Sequence, residues 1–188
     1  MAVGKSSIIQ RIILNEFDEN ISCGDFYEKG LFIYFEEDIF SIFFDDFWGQ
    51  EKLRSIVCDK YPLADGIILV YDITDRHSFE ECETFYDIKI KDLCQKNIKK
   101  ILLGNKSDLE DERVIKTEEG LNFAEKYGYK FDEISCKYNK NVFKVFEEFI
   151  IEVINNKKKN GDFIDKQNNY LKLKTSETKY KKKKSPCQ

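Results

Sequence analysis

Three short polar clusters interrupt the apolar runs of this chain, and each has the residue types of a ligand contact. The most specific is Asn105-Lys106-Ser107-Asp108, which follows the apolar run Ile101-Leu102-Leu103-Gly104. A carboxylate there can accept two hydrogen bonds at once, as from the ring N–H and exocyclic amine of a guanine; adenine offers no such donor pair. Asp108 is therefore the candidate base selector, and the aliphatic stem of Lys106 can lie across a base face. Gly4-Lys5-Ser6-Ser7 contains the second half of a phosphate-binding loop, Gly-x-x-x-x-Gly-Lys-Ser/Thr. In such a loop backbone N–H groups wrap the phosphates, the lysine reaches the β/γ oxygens and the serine hydroxyl ligates Mg²⁺. The third cluster is Asp45-Asp46-Phe47-Trp48-Gly49-Gln50. An aspartate at a strand end, three residues before a glycine, can hold Mg²⁺ through a water while the glycine N–H meets a γ-phosphate. Gln50, next to that glycine, could orient an attacking water. Each cluster also fits a plainer description: a polar strand end, a chance Gly-Lys-Ser at a helix start, a strand-to-helix turn.

These clusters need elements to hold them. A continuous apolar run ended by a turn is the pattern of a strand buried on both faces, and Asp65–Tyr71 and Ile101–Gly104 both have it. The ends of such strands are where open α/β sheets bind ligands. A helix is expected over roughly Ser6–Leu14, its N-terminal dipole adding to the anion site. Leu31–Phe35 and Ile39–Phe44 read as two strands of a hairpin turning at Glu36-Glu37-Asp38. Ser78 is expected to cap a helix running to about Asn97, and Thr117 to cap another that stops at Gly128. Tyr129–Ile134 reads as a strand that ends in Ser135-Cys136-Lys137. A last helix over about Val142–Asn155 carries Val142, Phe146, Phe149, Ile150 and Val153 as a core stripe. Strands and helices alternate, with one antiparallel hairpin early, so the fold class is α/β: a doubly wound, mostly parallel sheet. Counting back from Gly4, the loop's first glycine and the apolar strand before it are absent, and the expectation is an incomplete N-terminus lacking the first strand.

The length of 188 residues fits one domain with a real core. With 41% apolar and 35% charged residues the chain is of globular class, and no run approaches the ~18 apolar residues of a membrane span. Nothing at the start resembles a signal peptide. The formal net charge of −4 gives no sign of nucleic-acid binding. The six cysteines are scattered without Cys-x-x-Cys pairs, so they read as reduced cytosolic thiols, with no zinc site. His77, the one histidine, lies in a polar turn and reads as solvated. From Asn156 the composition becomes polar and Lys-rich, with Lys157-Lys158-Lys159-Asn160-Gly161 expected to break the last helix. The layout is thus a domain over 1–155 and a flexible tail over 156–188. The tail is either a solvated segment or a basic, lipid-modified membrane anchor. Cys187, second from the end, does not match a four-residue Cys-a-a-X box. Phe17, twelve residues after Lys5 in an acidic connector, either stacks on a base edge or tucks into the core.

Gly4-Lys5-Ser6, Asp46-x-x-Gly49-Gln50, Asn105-Lys106-Ser107-Asp108 and Ser135-Cys136-Lys137 occur in that order. Together they resemble the Ras superfamily of small GTPases. Gly49-Gln50-Glu51-Lys52-Leu53-Arg54-Ser55-Ile56, Gly66-Ile67-Ile68-Leu69-Val70-Tyr71-Asp72-Ile73-Thr74 and Asn139-Lys140-Asn141-Val142 are similar to the Rab subfamily. The resemblance covers roughly residues 1–155. It implies a G domain that binds GTP and GDP with Mg²⁺ and hydrolyses GTP to GDP. It implies that Gly4, Lys5, Ser6 and Ser7 bind phosphates, with Ser6 and Asp46 as the metal residues, Asp46 in the outer shell. Phe17 falls where the family packs an aromatic against guanine. Gly49 meets the γ-phosphate and Gln50 orients the water; Asn105, Lys106 and Asp108 hold the base. Ser135 braces that loop, and the backbone N–H groups of Cys136 and Lys137 flank the guanine. The implied setting is vesicle trafficking on the cytosolic face of intracellular membranes, with effectors, exchange factors, GTPase-activating proteins and a prenylated tail.

Departures from the family pattern lie on one side of the site. The first-switch threonine has no counterpart; the segment reads Ile21-Ser22-Cys23-Gly24-Asp25-Phe26, with Ser22 the nearby hydroxyl. Trp48 stands where the family has a small alanine, and Asp45 where Rabs carry a buried tryptophan. Two functional readings follow: a GTP-hydrolysing switch that recruits effectors, or a degenerate GTPase-fold interaction module with weak or no hydrolysis.

Overall fold

A computed structural model of the protein describes residues 3–19, 21, 29–46, 61–83, 90, 94 and 97–160. Ser22, Trp48, Gly49, Gln50, Cys187 and the tail over 161–188 lie outside the described residues. The chain divides into two units, Met1–Val153 and Ile154–Gln188.

Regular structure opens with helix α1, Lys5–Leu14. Strands β1 (Lys29–Phe35) and β2 (Asp38–Phe44) pair antiparallel, with Phe35 opposite Asp38, around the acidic turn read from the sequence. Strands β3 (Gly66–Asp72), β4 (Lys99–Asn105) and β5 (Lys130–Glu133) form a separate parallel sheet in the order β3-β4-β5. Helix α2 spans Arg76–Glu81, α3 Thr117–Tyr127 and α4 Val142–Asn160. Among the described residues no strand bridges the hairpin and the parallel sheet. Phe44 at the end of β2 packs against Phe146 of α4 with ring centroids 5.2 Å apart and the rings tilted by 42°.

The two faces of the parallel sheet bury different side chains. Ile67, Leu69 and Tyr71 of β3 and Leu102 of β4 pack with Phe79 and Phe123 from α2 and α3. Their neighbours in sequence point the other way. Ile101 and Leu103, with Ile68 and Val70 beside them, pack with Ile8 of α1 and Val142, Val145 and Phe149 of α4. This is the period-2 geometry of a strand applied to an all-apolar run, and it requires helices on both sides. Each large apolar side chain so buried contributes about 1.5–3 kcal/mol.

Several boundaries differ from the sequence reading, each for a local reason. Asp75, not Ser78, caps α2: its Oδ1 accepts from the N–H groups of His77 (3.0 Å) and Ser78 (3.4 Å). Ser78 Oγ instead donates to the Asp75 carbonyl at 2.7 Å and accepts from Asp72 N–H at 3.0 Å. His77 is exposed as expected, but within the first turn of α2. Thr117 is the first residue of α3 rather than its cap. Lys116 holds that position, and its N–H donates to Glu119 Oε1 at 2.9 Å, while Thr117 Oγ1 donates to Glu133 Oε1 at 3.2 Å. Gly128, at φ 70, ends α3 as expected. Helix α4 does not break at Lys157 but runs on to Asn160. Lysines are good helix formers and favourable at the negative end of the helix dipole. Cys82, Cys94 and Cys136 are free thiols.

Candidate functional site

The parallel register aligns the carboxyl ends of the strands. Asp72 of β3 lies opposite Asn105 of β4, and Gly104 lies opposite Glu133 of β5. The chain leaves β4 as Lys106-Ser107-Asp108 and leaves β5 as Ile134-Ser135-Cys136-Lys137, so two of the predicted clusters share one edge. They are also joined directly. Ser135 Oγ donates to Asp108 Oδ1 at 2.5 Å, Ser107 N–H donates to the Ile134 carbonyl at 3.0 Å, and Tyr138 N–H donates to Ser135 Oγ at 3.2 Å. Ser135 is fully buried, and Asp108 is half-buried with one oxygen committed to the serine. A braced carboxylate of this kind is ready to accept from a pair of ligand donors.

Lys106 sits at φ 65, a left-handed backbone that turns the chain sharply off the strand. Its Nζ pairs with Asp72 Oδ2 at 2.5 Å. The other Asp72 oxygen accepts from Thr74 N–H (2.9 Å) and Thr74 Oγ1 (2.8 Å), so the carboxylate is held by its own turn. Burial pushes the Cys136 thiol up to about 12, so Cys136 is a neutral packing group that contributes to the site through its backbone.

On the other side, Gly4 caps α1 at φ 91, outside the range that side chains readily adopt. A Cβ there would run into the side-chain amide of Asn105. Lys5 begins α1, Ser6 is buried beside it and Ser7 is half-buried. Ser6 Oγ donates to Asp46 Oδ2 at 2.5 Å, which brings the two predicted metal residues together across forty positions of chain. Asp46 is buried, and its second oxygen has no hydrogen-bond partner among the described residues. A buried carboxylate oxygen left open beside a serine hydroxyl suits a hard divalent cation with oxygen ligands, so these residues fit Mg²⁺.

Asn105 connects the two sides. Its Nδ2 donates to the Val3 carbonyl at 3.0 Å, immediately before the glycine, and its Oδ1 is buried with no partner among the described residues. Phe17 is half-buried against the cluster formed by α1, α4, β4 and the loop after β5, with the Arg11 guanidinium 6.0 Å from its ring centroid. Lys137 is exposed and pairs with Glu19 at 3.0 Å. The structure therefore gathers Gly4, Lys5, Ser6 and Asp46 on one side and Asn105, Lys106, Asp108, Ser135, Cys136 and Lys137 on the other. Gly49 and Gln50 lie outside the described residues.

Two residues of this region were missed in the sequence. Asp72 ends a strand, as Asp46 and Asp108 do, so the same reasoning could have found it. Arg11 carried no such mark, because one polar residue on an amphipathic helix is ordinary.

A three-layer α/β domain with a glycine-capped helix and polar clusters at the strand carboxyl ends is a nucleotide-binding domain in class. The model of the Ras family matches residues 1–155. A "Ras-like protein rasU" of Dictyostelium discoideum is 37% identical over 150 residues, covering 78% of this chain and 68% of the relative. A "Ras-related protein RABC1" of Arabidopsis thaliana is 38% identical over 156 residues, 81% of this chain and 72% of the relative. A "Ras-related protein Rab-3C" of Bos taurus is 44% identical over 102 residues, covering 54% of this chain and 44% of the relative. The chain belongs to the Ras family, and it is a Rab-like small GTPase. It binds guanine nucleotide, hydrolyses GTP and acts in membrane trafficking with regulators and effectors. Among the described residues no helix is long and apolar enough to cross a membrane.

Proposed function

We propose that the domain over 1–155 is a GTP/GDP switch whose base is held by Asn105, Lys106 and Asp108, with Asp108 setting the base specificity. The observation that carries this is the Ser135–Asp108 hydrogen bond of 2.5 Å, which fixes a carboxylate at the shared edge of β4 and β5. Asp108 accepts from the guanine ring N–H and exocyclic amine. Lys106 lays its stem over the base face, and the N–H groups of Cys136 and Lys137 donate to the base carbonyl. Phe17 packs at the opposite base edge.

Gly4, Lys5, Ser6 and Ser7 take the phosphates through backbone N–H groups at the α1 terminus and the Lys5 ammonium. Ser6 and Asp46 would hold Mg²⁺, which when bound offsets negative charge on the phosphate oxygens. In hydrolysis Gln50 orients the attacking water and Gly49 N–H meets the terminal phosphate; these two assignments rest on sequence position. Turnover by this chain alone is expected to be slow, since relatives of this mechanism gain up to ~10⁵-fold from a partner's arginine. The segment over 156–188 serves as a basic tail that favours anionic membrane surfaces on the cytosolic side, with Cys187 the candidate lipid site.

Asp108→Asn tests the base assignment. The bidentate acceptor becomes half donor, so the preference for GTP over ATP is expected to vanish, read as the ratio of their equilibrium affinities. An unchanged ratio would remove Asp108 from the site.

A further inference from the structure

Arg11 projects from the last turn of α1 and spends its guanidinium on three backbone carbonyls. Nε and Nη2 donate to the Cys136 carbonyl at 3.0 and 2.8 Å, and Nη2 also donates to the Lys137 carbonyl at 3.2 Å. Nη1 donates to the Asn15 carbonyl at 2.8 Å, just past the end of α1. The planar fork of arginine can do this; a lysine ammonium, a point charge, cannot hold the same geometry.

The direction of the Cys136 carbonyl has a consequence for the next residue. Across a trans peptide, the C=O of one residue and the N–H of the following one lie in one plane and point in opposite directions. With the Cys136 carbonyl drawn to Arg11, the Lys137 N–H is turned away from α1. With the Lys137 carbonyl drawn the same way, the Tyr138 N–H is turned off likewise, and it donates to Ser135 Oγ, the hydroxyl that braces Asp108. The Lys137 N–H is thereby aimed to the side of the loop where Ser135 and Asp108 lie.

We infer that Arg11 is a specificity-positioning residue: it sets the Lys137 N–H as a donor for the carbonyl of a guanine base. Adenine carries an amine at that position, and a donor aimed at an amine is a repulsive pairing. Arg11 thus adds a second filter to the one made by Asp108, without itself touching the base. The same guanidinium fastens the end of α1 through Asn15 and lies beside Phe17, so the connector carrying that aromatic is held to the same loop. Two outer links run in parallel, Asn139 Nδ2 to Asn15 Oδ1 at 3.4 Å and Lys137 to Glu19 at 3.0 Å.

This inference rests on the proposed base assignment, and the experiment separates the two. The full chain with Mg²⁺ is titrated to equilibrium with GDP and separately with ADP, as wild type, Arg11→Met, Arg11→Lys and Asp108→Asn. Loss of the charged hydrogen bonds is expected to weaken GDP binding by about ten- to a hundredfold in Arg11→Met, with ADP changed by no more than about twofold. Arg11→Lys keeps the stem and the charge but not the fork, and its GDP/ADP ratio is expected to fall at least about fivefold. That variant decides the matter if Arg11→Met does not fold. Equal losses for GDP and ADP, or no loss for either, would reduce Arg11 to a helix-end brace and overturn the inference. If Asp108→Asn removes the GDP preference while both Arg11 variants keep it, only the positioning role fails. If Asp108→Asn itself keeps the preference, the base assignment fails first.

Discussion

Asp108 and Ser6 mark the two ends of the site, and the protein holds them by different means. Asp108 is braced by a serine from the neighbouring strand end, its loop is tied to β5 by Ser107 N–H, and the facing loop is pinned by Arg11. The base side is therefore built largely from parallel-strand ends and their mutual hydrogen bonds, and it presents a finished acceptor. Ser6 leans on Asp46, whose other oxygen is buried with no partner among the described residues. The phosphate side is left polar and unfinished, as suits a surface completed by a cation and an anionic ligand. On the proposed assignment, specificity is set by the braced strand ends, and charge neutralisation by a helix start and one carboxylate.

The largest break in this comparison is expected from Gly4→Ala. The position combines φ 91 with a side-chain path that meets the Asn105 amide, so strain and displacement fall on both sides at once. Left-handed backbone alone costs about 1–2 kcal/mol for a residue with a Cβ. Nucleotide affinity is expected to drop by more than about a hundredfold, measured by GDP titration. Gly128→Ala is the control: it has φ 70 but nothing within 4 Å of the new Cβ, and it should leave GDP affinity unchanged while lowering stability modestly.

Asn105→Ala cuts the link between the sides. The Val3 carbonyl loses its donor, and an unsatisfied buried group costs about 1–3 kcal/mol. GDP and ADP are expected to weaken together by roughly ten- to a hundredfold, because the phosphate side is loosened while Asp108 is untouched. A loss confined to GDP would place Asn105 with the base alone.

How far this division could be read from the sequence depends on the residue. Asn105, Lys106 and Asp108 were legible because an apolar strand ending in a polar turn is local information, and so were the buried faces of β3 and β4. The hairpin and the stripe on α4 followed from periodicity. The Ser6–Asp46 contact was legible only as two separate motifs, since their meeting depends on where α1 and β2 are packed. Arg11 was not legible at all: its partners lie at residues 136 and 137, and nothing in a helix of ordinary amphipathic pattern points to them. The caps at Asp75 and Lys116 were misread for a related reason. At α2 the Asp75 carboxylate took the role assigned to the Ser78 hydroxyl, and at α3 Glu119 accepts from the Lys116 N–H while the Thr117 hydroxyl turns to Glu133. The overrun of α4 to Asn160 shows that a lysine run does not by itself end a helix.

The smallest expected effect is on the scaffold beneath the base side. The Arg76 guanidinium, 2.6 Å from Glu119, holds that carboxylate down to about 2, with the Lys116 backbone N–H adding to the effect. A depressed folded value means the contribution is present above the unfolded value of 4.5 and is lost as pH falls toward about 2. Glu119→Gln should therefore narrow the gap in thermal stability between pH 5 and pH 3 only slightly, since the pair is partly solvated. A large change would mean that α2 and α3 depend on this pair more than their burial suggests.

The most direct test of the central division is the ratio of GDP to ADP affinity in Ser6→Ala beside Asp108→Asn, both measured with Mg²⁺. Ser6→Ala is expected to weaken both nucleotides by a similar factor and to keep the ratio of the wild type, whereas Asp108→Asn is expected to bring the ratio close to one. A ratio that falls as far in Ser6→Ala as in Asp108→Asn, or that survives Asp108→Asn, would overturn the division between base and phosphate sides.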